Sequence, residues 1–157
     1  MSLVGVISDT HDNIVNVRRA VERFNALELD RVVHCGDIIA QFVLAEFGKL
    51  RAPLSAVFGN CDGDRRSLEQ RAREFGFELA EGPLEFRAGG RRFTVTHEPL
   101  ARVPDCDFYL HGHTHKLRHD AGPPVVVNPG EGCGYLTGRA TCAVVDTASG
   151  SVELLDI

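Results

Sequence analysis

Three short apolar runs, residues 3–7, 32–35 and 54–58, each break off at a polar residue or a glycine and are separated by stretches with helical spacing. Between the first two, Ile14, Val17, Val21, Phe24 and Leu27 recur at three- to four-residue intervals, with Arg18, Arg19, Glu22 and Arg23 interleaved. That periodicity predicts an amphipathic helix from 14 to about 27, with Asp12 as its N-cap. Residues 38–50 and 64–75 read as two further helices. A strand–helix alternation of this kind demands parallel strands, because a parallel pair cannot be closed by a tight turn and needs a crossover.

The second half changes character. Residues 83–87, 91–97, 108–111, 125–127, 140–146 and 151–157 are short strand candidates divided by Gly, Pro and Asp, with a turn expected near 98–103. Ala88-Gly89-Gly90 and Ala148-Ser149-Gly150 carry the chemistry of hairpin turns. A β-α half followed by a β-rich half predicts an α/β (α+β) fold in which two sheets pack face to face with helices outside. With 157 residues and no linker or repeat, the chain is expected to form a single domain over 1–157.

What ends the strands is chemically specific. Asp9-Thr10-His11, Gly36-Asp37, Gly59-Asn60, His97 and His111-Gly112-His113-Thr114-His115 each follow an apolar run. If those runs end side by side, Asp9, His11, Asp37, Asn60, His97, His113 and His115 meet at one edge. A carboxylate between two divalent ions holds them roughly 3.5–4 Å apart, a separation suited to in-line displacement at phosphorus. Mixed imidazole and carboxylate donors favour manganese, iron, zinc, cobalt or nickel over the all-oxygen preference of magnesium and calcium. Asp-x-His and Gly-Asp are commonplace singly, whereas three histidines within five residues at 111–115 favour metal binding on their own.

The net charge of -5 gives no electrostatic support for binding nucleic acid or an anionic membrane. Five cysteines, odd in number and without a Cys-x-x-Cys pair, argue against a disulfide framework or a zinc ribbon. The N-terminal apolar stretch is too short for a signal peptide and lacks a basic flank, and no run approaches the roughly 20 apolar residues of a membrane span. A cytoplasmic location is the expectation. An exposed edge strand or apolar helix face would allow a homodimer, but nothing specifies one.

Taken together, Ser8-Asp9-Thr10-His11-Asp12-Asn13, His34-Cys35-Gly36-Asp37, Val57-Phe58-Gly59-Asn60-Cys61-Asp62, Thr96-His97, the 111–115 segment and Asn128-Pro129-Gly130 resemble the calcineurin-like metallophosphoesterase superfamily. The similarity is strongest to its small single-domain bacterial and archaeal phosphodiesterases. This resemblance implies a four-layer αββα sandwich of two mixed sheets flanked by helices. It implies two divalent transition-metal ions per chain, manganese foremost. Asp9, His11 and His115 would hold the first, Asp37 would bridge, and Asn60, His97 and His113 would complete the second. It further implies hydrolysis of a small-molecule or nucleotide-like phosphodiester by a metal-bridging hydroxide.

The chain departs from that pattern in places. Cys61 stands where many relatives carry a proton-donating histidine, and a thiol with an ordinary pKa of about 8.5 is a poor substitute. Space-filling is the favoured role for Cys61, and acidic leaving groups should be preferred. Glu98-Pro99 replaces a second histidine, with Glu98 either orienting His97 or exposed. Glu131 occupies a common serine position. Cys61, Asp62, His111 and Arg139 are the weaker candidates for supporting the site or contacting substrate, with a surface role favoured for Arg139 and a structural one for His111. His34 reads as a packed residue and His119 as a solvent-facing loop residue. The rival readings are a scaffold that keeps the fold without its chemistry, as the small retromer subunit does, and a phosphomonoesterase or nuclease.

Overall fold

A computed structural model describes residues 2–157. The chain runs β1 (Leu3–Ile7), α1 (Ile14–Asn25), β2 (Arg31–His34), α2 (Gln41–Glu46), a 3₁₀ turn (Phe47–Lys49), β3 (Leu54–Val57), α3 (Arg65–Phe75), β4 (Glu78–Ala80), β5 (Leu84–Ala88) and β6 (Arg91–Val95). It then adds β7 (Phe108–Leu110), β8 (Arg118–Asp120), β9 (Val125–Asn128), β10 (Thr141–Asp146) and β11 (Val152–Asp156). One sheet has the order β11-β10-β1-β2-β3-β4, the other β5-β6-β7-β9-β8. Both are mixed. Strands β1 to β4 are parallel and β10 joins antiparallel to β1, while β6, β7 and β9 are parallel with β5 and β8 antiparallel at the edges.

The strands alternate their side chains between two cores, as a pleat requires. Ile7, Val32 and Leu54 point to one face of the six-stranded sheet and pack with Val17, Phe24, Leu44 and Leu68 of the three helices. Val4, Val6, Val33 and Val57 point to the other face and meet Phe93, Val95, Leu110 and Val127 of the second sheet. Stacked rings of Phe86, Phe93 and Phe108, 4.7 and 4.6 Å apart by centroid, run across three neighbouring strands. All three helices therefore cover one sheet. The outer face of the five-stranded sheet is covered by the irregular segment 96–107, which packs Cys106 against Tyr109 and Val126. The turn expected at 98–103 is part of that segment. Among the described residues no helix is long and apolar enough to cross a membrane.

Several element boundaries shift for local reasons. The N-cap of α1 is Asn13, whose side chain accepts from the Asn16 N–H, while Asp12 accepts from the Tyr135 hydroxyl instead. Residues 38–40 are not helical, because Asp62 captures the N–H groups of Ile38 and Ile39 and Ile39 has φ +74°. Two three-residue edge strands, β4 and β8, go beyond those expected. Their sequences, Glu-Leu-Ala and Arg-His-Asp, carry almost no apolar alternation, and pairing to β3 and β9 makes them strands.

Candidate metal centre

The seven candidate donor side chains sit where β1, β2, β3, β6 and β7 run out at one end of the two sheets. Asp9 and His11 follow β1, Asp37 follows β2, Asn60 follows β3, His97 follows β6, and His113 and His115 follow β7. The loops turn sharply. Asp9, His11, Asp37, His113 and His115 all have φ between +46° and +66°, a region that costs a non-glycine residue roughly 1–3 kcal/mol. Two glycines let the loops close on one another. A Cβ at Gly59 would collide with the Asp37 carboxylate, and one at Gly112 would collide with Ser8 and the Asp9 carboxylate.

In the first half of the cluster, Asp9 and His115 each have one atom tied down by a hydrogen bond and one turned toward the other. Asp9 is fully buried; its Oδ2 accepts from the Ser8 hydroxyl at 2.5 Å and the His113 N–H at 3.1 Å, while Oδ1 has no hydrogen-bond partner. His115 donates Nδ1–H to Glu131 at 2.5 Å, which leaves the Nε2 lone pair 3.3 Å from Asp9 Oδ1. His11 Nε2 is buried and unpartnered, 3.7 Å from Asp37 Oδ2. One donor atom from each of Asp9, His11, Asp37 and His115 lies within 4.8 Å of the others.

The second half is more open. His97 donates Nδ1–H to the Cys35 carbonyl at 2.8 Å, which turns Nε2 toward Asn60 Oδ1 at 2.8 Å and Asp37 Oδ2 at 3.4 Å. His113 Nδ1 approaches the same Asn60 oxygen at 3.0 Å. Asp37 thus stands between the halves, with Oδ1 accepting from the Cys61 N–H at 2.9 Å and Oδ2 facing both His11 and His97.

Electron-rich atoms pointed at one another repel unless a proton or cation lies between them. Burial raises the pKa of Asp9 despite the Ser8 hydrogen bond. Burial opposes ionisation of Asp37 too, yet hydrogen bonds with His97 and the Cys61 N–H bring its pKa down to about 2. His97 is held above its ordinary value, burial notwithstanding, by the Asp37 carboxylate. A mixed nitrogen and oxygen donor set with an orphaned carboxylate oxygen and an orphaned imidazole nitrogen fits divalent transition-metal ions.

The supporting residues divide in a way only the fold reveals. Asp62 accepts from the N–H groups of Asp37, Ile38, Ile39 and Gly59, so it fastens the two loops that carry Asp37 and Asn60 and has no free oxygen for substrate. Glu131 is buried without exposure and takes five hydrogen bonds, from His115, Cys133, the Leu136 and Thr137 N–H groups and the Thr137 hydroxyl. Burial works against its charge, but those bonds lower its pKa to about 2. Sequence reading noticed Glu131 only as a departure and missed its orienting role; the one signal was an acidic residue set among glycines. Orientation of His97 comes from the Cys35 carbonyl, and Glu98 is exposed.

The remaining candidates find quieter places. His34 bonds Thr10 through Nε2 and accepts the Gly36 N–H through Nδ1, and burial lowers its pKa to about 3. His111 is buried on the outer face beside Tyr109 and bonds the Gly112 carbonyl. His119 faces solvent, on the edge strand β8 rather than a loop. Arg139 is exposed and paired with Asp156 at 2.6 Å. Cys61 is exposed next to Asn60, with its thiol pKa raised by partial burial and by Asp37. Cys133 lies near His11 and His115, but burial, reinforced by Glu131, pushes its thiol up to about 12.

Comparison with known proteins agrees with this geometry. Residues 2–150 match the model of the calcineurin-like phosphoesterase superfamily domain. Phosphodiesterase MJ0936 of Methanocaldococcus jannaschii is 35% identical over 153 residues, covering 92% of each chain. The solved structure of an archaeal phosphodiesterase superposes with a TM-score of 0.92 at 32% identity over 99% of both chains. The E. coli phosphoesterase Yfce shares the fold at a TM-score of 0.73 and 19% identity, again over 99% of both. With two mixed sheets, three helices and an Asp/His cluster at their strand ends, the chain belongs to the calcineurin-like phosphoesterase superfamily.

Proposed function

We propose that this chain is a dinuclear metal-dependent phosphodiesterase. Asp9, His11 and His115 would hold one ion, Asn60, His97 and His113 the other, and Asp37 would serve both. The observation that carries the reading is the pair of orphaned buried atoms, Asp9 Oδ1 and His11 Nε2, beside an Asp37 oxygen shared with His97. When bound, such ions lower the pKa of water to give a nucleophile at neutral pH and neutralise charge on the phosphoryl oxygens. Manganese is the ion we would supply first, since a mixed donor set takes several and availability decides.

The chain's own residues do the positioning. Glu131 and the Cys35 carbonyl engage Nδ1 of His115 and His97, so that Nε2 of each is the atom turned toward the cluster and the one that would meet an ion. Asp62 holds the Asp37 and Asn60 loops at a fixed separation. Exposed Asn60 and His113 leave the second half open to a substrate phosphate. The residue after Asn60 is Cys61 rather than a proton-donating histidine, and its raised thiol pKa makes it a poor proton donor to a leaving oxygen. General-acid help is typically worth about 10²–10⁴-fold, so good leaving groups should dominate the activity. The relatives named as phosphodiesterases support a diester substrate.

The test is hydrolysis of bis(4-nitrophenyl) phosphate and of the monoester 4-nitrophenyl phosphate by chelator-stripped protein, before and after manganese is restored. Metal-dependent cleavage of the diester with little on the monoester is the expected result. No turnover with manganese, nickel, cobalt or zinc would leave the scaffold reading in its place.

A further inference from the structure

Beside the second half of the donor cluster the surface opens into a cleft of about 390 Å³, within the range of small-molecule sites. Asn60 and His97 line it, and its outer walls include Phe58, Arg65, Glu81, Glu98 and Leu100. A group joined to a phosphorus held at the cluster has this cleft next to it.

Arg65 is held in place from three sides. Its guanidinium lies over the Phe58 ring at 4.8 Å, its Nε donates to the Asp62 carbonyl at 3.3 Å, and it forms an ion pair with Glu81. Phe58 is almost wholly covered, so the ring itself is not offered to a ligand. The side chain of Arg65 is 41% exposed, which leaves a rigid planar cation facing the cleft. A guanidinium already stacked on one ring readily stacks a second on its other face. The same lining carries two carboxylates, the ion-pair partner Glu81 and the exposed Glu98, so with Arg65 it has a net charge of about one negative. Such a wall disfavours an arm with a further phosphate and accepts N–H donors from a neutral ring. Leu100, 41% exposed, adds an apolar contact.

We infer that this cleft is the subsite for one ester arm of the substrate, and that it takes an uncharged planar ring bearing N–H donors, of the nucleobase type, stacked on Arg65. The inference rests on the phosphodiesterase reading above. Arg65 and Leu100 are specificity residues in it, not catalytic ones, since neither is among the donor groups.

The experiment measures inhibition of bis(4-nitrophenyl) phosphate cleavage by manganese-loaded protein, using methyl phosphate and adenosine 5′-monophosphate as probes. Both present a phosphate to the cluster, but only the second carries a ring. The expected result is that the nucleotide inhibits about tenfold more tightly, the scale of one stacked base. That preference should collapse in Arg65→Ala and in Leu100→Trp, which fills the cleft from its rim, while inhibition by methyl phosphate stays within about twofold. An equal preference in the wild type and both variants would overturn the inference. So would an Arg65→Ala variant that weakens both probes alike, because Arg65 would then be a phosphate contact. Absence of turnover in the wild type would overturn the parent reading and this one with it, whereas turnover with an unchanged preference overturns this one alone.

Discussion

The Asp9–His11–His115 half of the donor cluster and the Asn60–His97–His113 half use similar side chains, yet the protein braces them differently. The first is held by buried side chains: Ser8 on Asp9, Glu131 on His115. Its donors are covered or half-covered. The second is held by backbone, through the Cys35 carbonyl on His97, and two of its three donors, Asn60 and His113, are exposed. A half whose lone pairs are desolvated and fixed in advance binds an ion with little reorganisation, whereas an exposed half must order its own side chains. On that reasoning the first half would anchor an ion tightly and the second would hold one weakly, on the more open side of the proposed centre.

The largest effect should come from the residue the two halves share. Asp37→Asn is expected to reduce diester turnover to background and to drop bound metal below two ions per chain, read by elemental analysis of the purified variant. Unchanged metal content and turnover would break the division of the cluster around Asp37.

Asp62→Ala should come next and should damage both halves together. Four N–H groups lose their acceptor, each costing about 1–3 kcal/mol when left buried and unpaired. Thermal unfolding of the metal-free protein should show a marked fall in Tm. A variant as stable as the parent would mean that the Asp37 and Asn60 loops hold their shape unaided.

Glu131→Gln separates the halves. Loss of the carboxylate on His115 should weaken the tighter ion by about 10–100-fold in a competition titration and leave the weaker one unaffected. Equal weakening of both would erase the distinction drawn here. Cys61→Ala gives the smallest effect: cleavage of bis(4-nitrophenyl) phosphate should change by less than about tenfold, below the range of general-acid assistance. A larger loss would give the thiol a role in proton transfer.

The contrast also explains what could be read from the residues in order. The convergence of these side chains was legible because each follows an apolar run, and strand ends in a parallel arrangement meet at one edge. The existence of all three α-helices and of every strand but β4 and β8 followed from the sequence pattern. Glu131 was not legible, because its partner His115 lies sixteen residues away and only the fold makes it a buried acceptor. Residues 38–40 resembled a helix by composition, and the long-range hold of Asp62 overrides that propensity. The edge strands β4 and β8 have no pattern of their own and exist by pairing. Local chemistry marked the candidate donors, while the groups that aim them are tertiary.

The most direct test is a calorimetric titration of manganese into chelator-stripped protein, repeated on Asp9→Asn and Asn60→Ala. Two ions per chain binding with distinct affinities, the tighter lost in Asp9→Asn and the weaker lost in Asn60→Ala, is the predicted result. A single ion, or two equal ions that both variants weaken alike, would contradict a centre built from one pre-formed and one open half.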